Sequence, residues 1–100
     1  MLKEVKTNEE FESAIANGHV LVDFWAPWCG PCRMMGETIA NEILPQMPEL
    51  TVVKVNVDEA PVLASRFGVM SIPTLLCFSN GQKVAEFVGV TSAQEIKNAF

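Results

Sequence analysis

The chain has 100 residues, 49% of them hydrophobic and 19% charged, which supplies apolar material for one modest core and is too much for a chain disordered throughout. Seven Lys and Arg against twelve Asp and Glu leave a net charge of −5, so a phosphate backbone is repelled on average and nucleic acid is a poor partner. The longest apolar stretch, Val20 to Cys29, is broken by Asp23 and Pro27 and falls far short of the ~20 residues that span a bilayer, so no membrane segment is expected.

Residues 1–100 are read as one domain. Leu2 to Lys6 reads as a short strand. Thr7-Asn8-Glu9-Glu10 has the form of a capping box, and Phe11 and Ile15 recur at helical spacing until Gly18, which predicts a helix over 8–17. Val20 to Trp25 is apolar on both alternating faces, as in a central parallel strand. From Pro31 the spacing changes to Met35, Ile39 and Ile43, an i, i+4 stripe that marks a second helix ending near Pro45.

Val53, Val55 and Val57 then alternate with Lys54 and Asn56, a period-2 strand, followed by a short helical stretch with Pro61 near its start and Leu63 and Phe67 on one face. Thr74–Ser79 and Gln82–Val88 flank Asn80-Gly81, a strong hairpin signal because both turn positions need positive φ. Ser92-Ala93-Gln94-Glu95 reads as a second capping box opening a last helix that carries Ile96 and Phe100. This βαβαβαββα order predicts an α/β fold, a mixed sheet of about five strands with about four helices on its two faces.

The N-terminus turns polar at once, Met1-Leu2-Lys3-Glu4, unlike a secretory signal, so a cytoplasmic location is expected. Cys29, Cys32 and Cys77 are an odd and small number of cysteines, which fits a reducing compartment better than a disulfide framework.

Trp25-Ala26-Pro27-Trp28-Cys29-Gly30-Pro31-Cys32 sets two thiols three residues apart where a buried strand hands over to a helix. Side chains at i and i+3 on a helical turn lie close enough for a reversible disulfide. Pro31 suits the first turn, which places Cys29 at or just before the N-cap, facing free N–H groups and the positive end of the helix dipole. Cys29 is therefore expected to be the more acidic, attacking thiol and Cys32, one turn in and more shielded, the resolving one. Half a zinc site and an inert buried pair are the competing readings of this motif.

Beyond this motif, Val22-Asp23-Phe24-Trp25, Val57-Asp58, Ser71-Ile72-Pro73-Thr74, Asn80-Gly81 and Gly89 follow in order at spacings that resemble the thioredoxin family end to end. The resemblance implies a thioredoxin fold and a dithiol–disulfide oxidoreductase that reduces protein disulfides and is re-reduced by a flavin-dependent, NADPH-using thioredoxin reductase. It also implies that the redox-active Cys29–Cys32 pair stands in for a bound cofactor, with no metal, and that the protein is a monomer. Carried over by position, Cys29 resembles the nucleophile, Cys32 the resolving cysteine, Asp23 the buried carboxylate and Pro73 the cis proline. Trp28, Gly30, Pro31, Ile72, Val88 and Gly89 match the patch on which the family docks partners, and Lys54 a lysine that tunes the carboxylate.

Bland readings stand beside these: ordinary core for Val88, a solvated strand face for Lys54, and local hydrogen bonding for Asp23. Burial on the strand face shared with Leu21 and Trp25 is expected to hold Asp23 above the usual carboxylate range near about 3.9. Cys77, in Thr74-Leu75-Leu76-Cys77-Phe78, reads as a small buried hydrophobe, and His19 as a solvated turn residue.

Two departures from the family pattern stand out. Glu37 occupies the place of a kinking proline, which is expected to straighten the helix unless Gly36 bends it. The last helix is about a turn short, which predicts slightly lower stability on the same fold. Competing functions are a non-catalytic binding module using the same patch, a metal-bridged dimer with CxxC ligands from two chains, and an oxidase or isomerase, which the polar N-terminus disfavours.

Overall fold

The structure, a computed structural model, describes residues 1–100. In chain order the elements are β1 (Leu2–Glu4), α1 (Asn8–Ile15), β2 (His19–Trp25), α2 (Gly30–Thr38), a π-helical turn (Ile39–Ile43), β3 (Thr51–Asn56), α3 (Pro61–Arg66), β4 (Thr74–Ser79), β5 (Gln82–Val88) and α4 (Ala93–Asn98). The five strands form one sheet in the order β1-β3-β2-β4-β5. This is the α/β, thioredoxin-type mixed sheet that the sequence predicts.

Thr7 caps α1 as expected. Its hydroxyl accepts from the Glu10 N–H at 3.1 Å, and the Glu10 carboxylate accepts from the Thr7 N–H at 3.1 Å. Phe11 and Ile15 then point into the core. The helix stops at Ile15 rather than at residue 17, because the following loop is held from across the sheet: Gly18 N–H donates to Asn80 Oδ1 at 2.8 Å and Asn80 N–H returns to Gly18 O at 2.9 Å. Asn80 and Gly81 themselves have φ of 49° and 84°, the left-handed pair that a tight hairpin needs. At Ser92 only half of the second capping box forms, the hydroxyl accepting from Glu95 N–H at 3.2 Å.

β2 is central, as its two-sided burial predicts, but only one neighbour is parallel. It runs parallel to β3 and antiparallel to β4. The β4–β5 register slips between Cys77 and Phe78, a bulge that no local sequence signal marked.

Residues alternate between the two faces of the sheet. Val20, Val22, Phe24, Val53, Val55, Leu76 and Phe78 pack with Phe11 and Ile15 of α1 and Leu63 of α3. Leu21, Val52, Leu75 and Cys77 pack on the other face with Met35, Ile39, Ile43 and Ile96. The second face explains the break in α2. Residues four apart overrun an α-helix by about 40° per step, so a strict 35-39-43 stripe drifts off one face. A π-helical turn is wider, closed here by Leu44 N–H to Ile39 O at 2.9 Å, and it keeps both Ile39 and Ile43 buried. α2 runs unbroken through Gly36 and Glu37. The irregularity therefore lies two residues beyond the missing proline, at the positions whose burial requires it.

Candidate active site

β2 delivers its carboxyl end to the thiols. After Trp25 the chain turns through Pro27 and Trp28, Cys29 N–H donates to Ala26 O at 3.2 Å, and α2 starts at Gly30. Cys29 is the N-cap, in extended conformation, and its sulfur accepts from Cys32 N–H at 3.2 Å. That N–H is spare because Cys32 lies in the first turn of α2, where backbone donors have no intrahelical acceptor, and Pro31 beside it has no N–H to satisfy. Cys29 and Cys32 are joined as a disulfide with their Cα atoms 5.2 Å apart. Exposure barely separates them, at 6% and 4%. The expected greater shielding of Cys32 is thus small in the paired state; what differs is the side each sulfur faces.

Cys29 faces the loop before β4. Its sulfur lies 3.9 Å from the Ile72 carbonyl oxygen, and the Ile72–Pro73 peptide is cis. Pro73 is buried and Ile72 half-buried. β5 closes this side: Gly89 N–H donates to Pro73 O at 2.8 Å from a φ of 93°. A Cβ at Gly89 would meet open space, so the backbone angle alone restricts that position to glycine.

Around the disulfide, Trp28, Pro31 and Val88 are exposed and Gly30 and Gly89 half-buried. Val88, 64% exposed, is therefore no core residue. Beside them runs a groove of about 370 Å³ lined by Trp28, Val57, Val69, Met70 and Ile72 among others. Two of its features escaped the sequence reading. Trp28 Nε1 donates to Asp58 Oδ2 at 2.9 Å, which fixes the indole, and Met70 is 95% exposed at the groove edge. Asp58 stands in the sequence reading only as part of Val57-Asp58, with no role assigned; its place just past the carboxyl end of β3, where sites in open α/β sheets gather, is the further signal for it.

Cys32 faces the other way, into an open cavity of about 510 Å³ whose walls include Trp25, Arg33, Glu37 and Lys54. Asp23 lies on β2 two residues before Trp25, on the sheet face of Leu21, fully buried, with no donor reaching either carboxylate oxygen. Burial pushes its pKa up to about 6, against a weaker downward pull from Lys54. Lys54 pairs with Asp23 in the β2–β3 register and holds its ammonium 4.5 Å from the centre of the Trp25 ring, so it is more than a solvated strand residue.

The remaining candidates lie apart. Cys77 is buried in β4, and desolvation raises its thiol to about 11, which leaves it an inert thiol. His19 begins β2 at the opposite end of the sheet, exposed, with its ring 5.1 Å from that of Phe100. No three His, Cys, Asp or Glu side chains converge as metal ligands, and no helix is long and apolar enough to cross a membrane.

Comparison with known proteins agrees with this geometry. The family model for thioredoxin matches residues 3–100. The chain is 44% identical over 92 residues to a thioredoxin of Alicyclobacillus acidocaldarius, covering 91% of this chain and 88% of the relative. It is 47% identical over 90 residues to thioredoxin 1 of Synechococcus elongatus, covering 90% and 81%. Among solved structures, oxidised mitochondrial thioredoxin 3 of Saccharomyces cerevisiae superposes with a TM-score of 0.87 at 28% identity, covering 97% and 91%. A mutant thioredoxin of Halobacterium salinarum gives 0.86 at 37%, covering 97% and 85%.

Proposed function

This chain belongs to the thioredoxin family of thiol–disulfide oxidoreductases, and from that premise we propose a division of labour among its residues. Cys29 is the nucleophile. Released from the disulfide, its thiolate sits at the N-cap of α2, where the Cys32 N–H already reaches its sulfur and the helix dipole favours negative charge. It attacks one sulfur of a target protein disulfide; a new Cys29–target bond forms, the target's own S–S bond breaks, and the departing thiolate takes up a proton.

Cys32 then gives its proton to Asp23, directly or through one water, and attacks Cys29. The target leaves as a dithiol and Cys29–Cys32 is oxidised. The two electrons that the pair has given up are restored by thioredoxin reductase, a flavoenzyme drawing on NADPH. Trp28, Gly30, Pro31, Ile72, Val88 and Gly89 dock the target. The Ile72 backbone, beside Cys29, is placed to pair with an extended target segment, and Pro73 holds that backbone in place. Lys54 tunes Asp23. The protein acts as a one-domain monomer in the cytoplasm.

The observation that carries this reading is the N-capping thiol of Cys29, bonded to Cys32 and set at the carboxyl end of the central strand beside Ile72. Reduction of insulin disulfides, followed by turbidity with and without a thioredoxin reductase and NADPH, tests it. Turnover that depends on the reductase supports the full cycle. No acceleration over dithiothreitol alone would refute it.

A further inference from the structure

Glu37 is the residue at which this chain departs from its family's pattern, and the fold gives it a defined neighbourhood. It sits on α2 five residues after Cys32, and both line the same open cavity of about 510 Å³, with Trp25 and Lys54 on the wall formed by the sheet. Lys54 comes from β3, in register with Asp23 of β2 on one side and with Glu4 of β1 on the other. Its ammonium nonetheless bonds to neither carboxylate. The ion pairs of the molecule are Lys6–Glu59, Arg66–Glu12 and Lys83–Glu86, and Lys54 rests over the Trp25 ring instead. Both oxygens of Asp23 are left without a donor.

Lys54 still pulls on Asp23 from a distance, and that pull is limited by whatever attraction holds the ammonium on its outer side, over Trp25. A ring face supplies part of it, about 0.5 to 1 kcal/mol at an exposed site. A carboxylate across a shared cavity supplies a longer-range pull of the same sense. The charged residues in register with Lys54 or on the cavity wall are Glu4 from β1, Asp23 from β2, and Arg33 and Glu37 from α2; Glu42 of the π-helical turn and Glu95 and Lys97 of α4 also lie on this side of the sheet but not on that wall. Opposite Asp23 on β4 stands the apolar Leu75, followed by Phe87 on β5. Arg33 leans away, its guanidinium 3.5 Å from Pro27 O, and Glu4 is not part of the cavity wall. Glu37 is therefore the acidic residue of that wall.

We propose that Glu37 is a positioning residue for the resolving step: across the cavity it holds the Lys54 ammonium over Trp25 and away from Asp23, and so keeps Asp23 able to carry the proton of Cys32. This rests on the role proposed above for Asp23. Glu37 touches neither thiol nor target; it acts through Lys54.

The test is the titration of Asp23, followed by the carboxyl carbon shift of the oxidised protein, in wild type, Glu37→Gln, Lys54→Met and the double variant. Freed from Glu37, Lys54 turns inward and favours the carboxylate. Glu37→Gln is expected to lower the Asp23 midpoint by about half a pH unit, a roughly threefold loss of proton affinity. In the Lys54→Met background the same substitution is expected to leave the midpoint in place. An unmoved midpoint in folded Glu37→Gln overturns the proposal, and so does an equal shift with Lys54 absent, which would mean direct action on Asp23. The readout requires no turnover. If Asp23 proves irrelevant to resolution, the mechanism above fails while this coupling is still measured by itself.

Discussion

The two faces of the sheet differ in kind. On one, Phe11 packs against Phe67 and Phe78 with ring centres 5.0 and 5.8 Å apart, and Phe24 against Phe67 at 6.0 Å, and the buried cluster is wholly hydrocarbon. The other holds a buried carboxylate at Asp23, a thioether at Met35, a thiol at Cys77 and the wide turn at Ile39–Ile43. Met35 even takes a backbone donor, Thr91 N–H at 3.4 Å from its sulfur. The aromatic face is hydrocarbon throughout, whereas the other face carries an unpaired buried carboxylate that costs stability. An ionisable group without a donor is destabilising wherever it is buried, and functional sites are where such groups are tolerated.

The largest expected effects lie at the thiols, on the chemical side of this contrast. Cys29→Ser abolishes insulin reduction, and Cys32→Ser leaves only the first attack and accumulates mixed disulfides, seen as reducible adducts on non-reducing gels. Adduct formation of equal extent in both variants would contradict the assigned roles.

The aromatic face responds in stability instead. Phe11→Ala empties a fully buried site and is expected to cost about 3 to 5 kcal/mol in urea unfolding, with the rate of the folded enzyme unchanged. A loss below about 1 kcal/mol would mean that this cluster does not dominate stability.

Asp23→Asn tests the contrast through pH. Burial raises Asp23 to about 6 from an unfolded value of about 3.9, so the folded state prefers the protonated form. Its stability is highest below about pH 4 and falls as the carboxylate ionises, from there through about pH 6. The whole difference corresponds to about 3 kcal/mol, an order-of-magnitude figure, by about pH 7. Asn does not titrate, so the variant is expected to be flat across this window and the more stable protein at neutral pH. A wild type that gains stability across this window at this site would reverse the sign and refute the burial argument.

The smallest effect is expected at the surface. Trp28 is 68% exposed and held by Asp58. Trp28→Ala is expected to raise the KM for a protein disulfide several-fold while unfolding stability moves by no more than about 0.5 kcal/mol. An unchanged KM would remove Trp28 from the docking patch.

The aromatic face was the more legible in sequence, because its signals are local. The Thr7–Glu10 capping box, the two-sided run at Val20–Trp25 and Asn80-Gly81 each state their geometry within a few residues. The position of Cys29 at a helix start was equally local, since Pro31 marks it. What stayed hidden depends on residues far apart in the chain. The widened turn at Ile39–Ile43 follows from where the sheet demands burial, while the stripe itself reads as an ordinary helix. The early end of α1 depends on Asn80, 62 residues beyond Gly18. Lys54 over Trp25, Asp58 on Trp28 and Glu37 on the cavity wall are meetings between elements, and no spacing rule along the chain predicts them.

The division of labour is tested most directly by rapid mixing of reduced Asp23→Asn with a disulfide substrate near neutral pH, with formation and resolution of the mixed disulfide followed separately. Formation at close to the wild-type rate with resolution slowed roughly tenfold or more is the predicted result. Resolution at the wild-type rate in folded Asp23→Asn would show that Cys32 loses its proton elsewhere and that the buried carboxylate is structural.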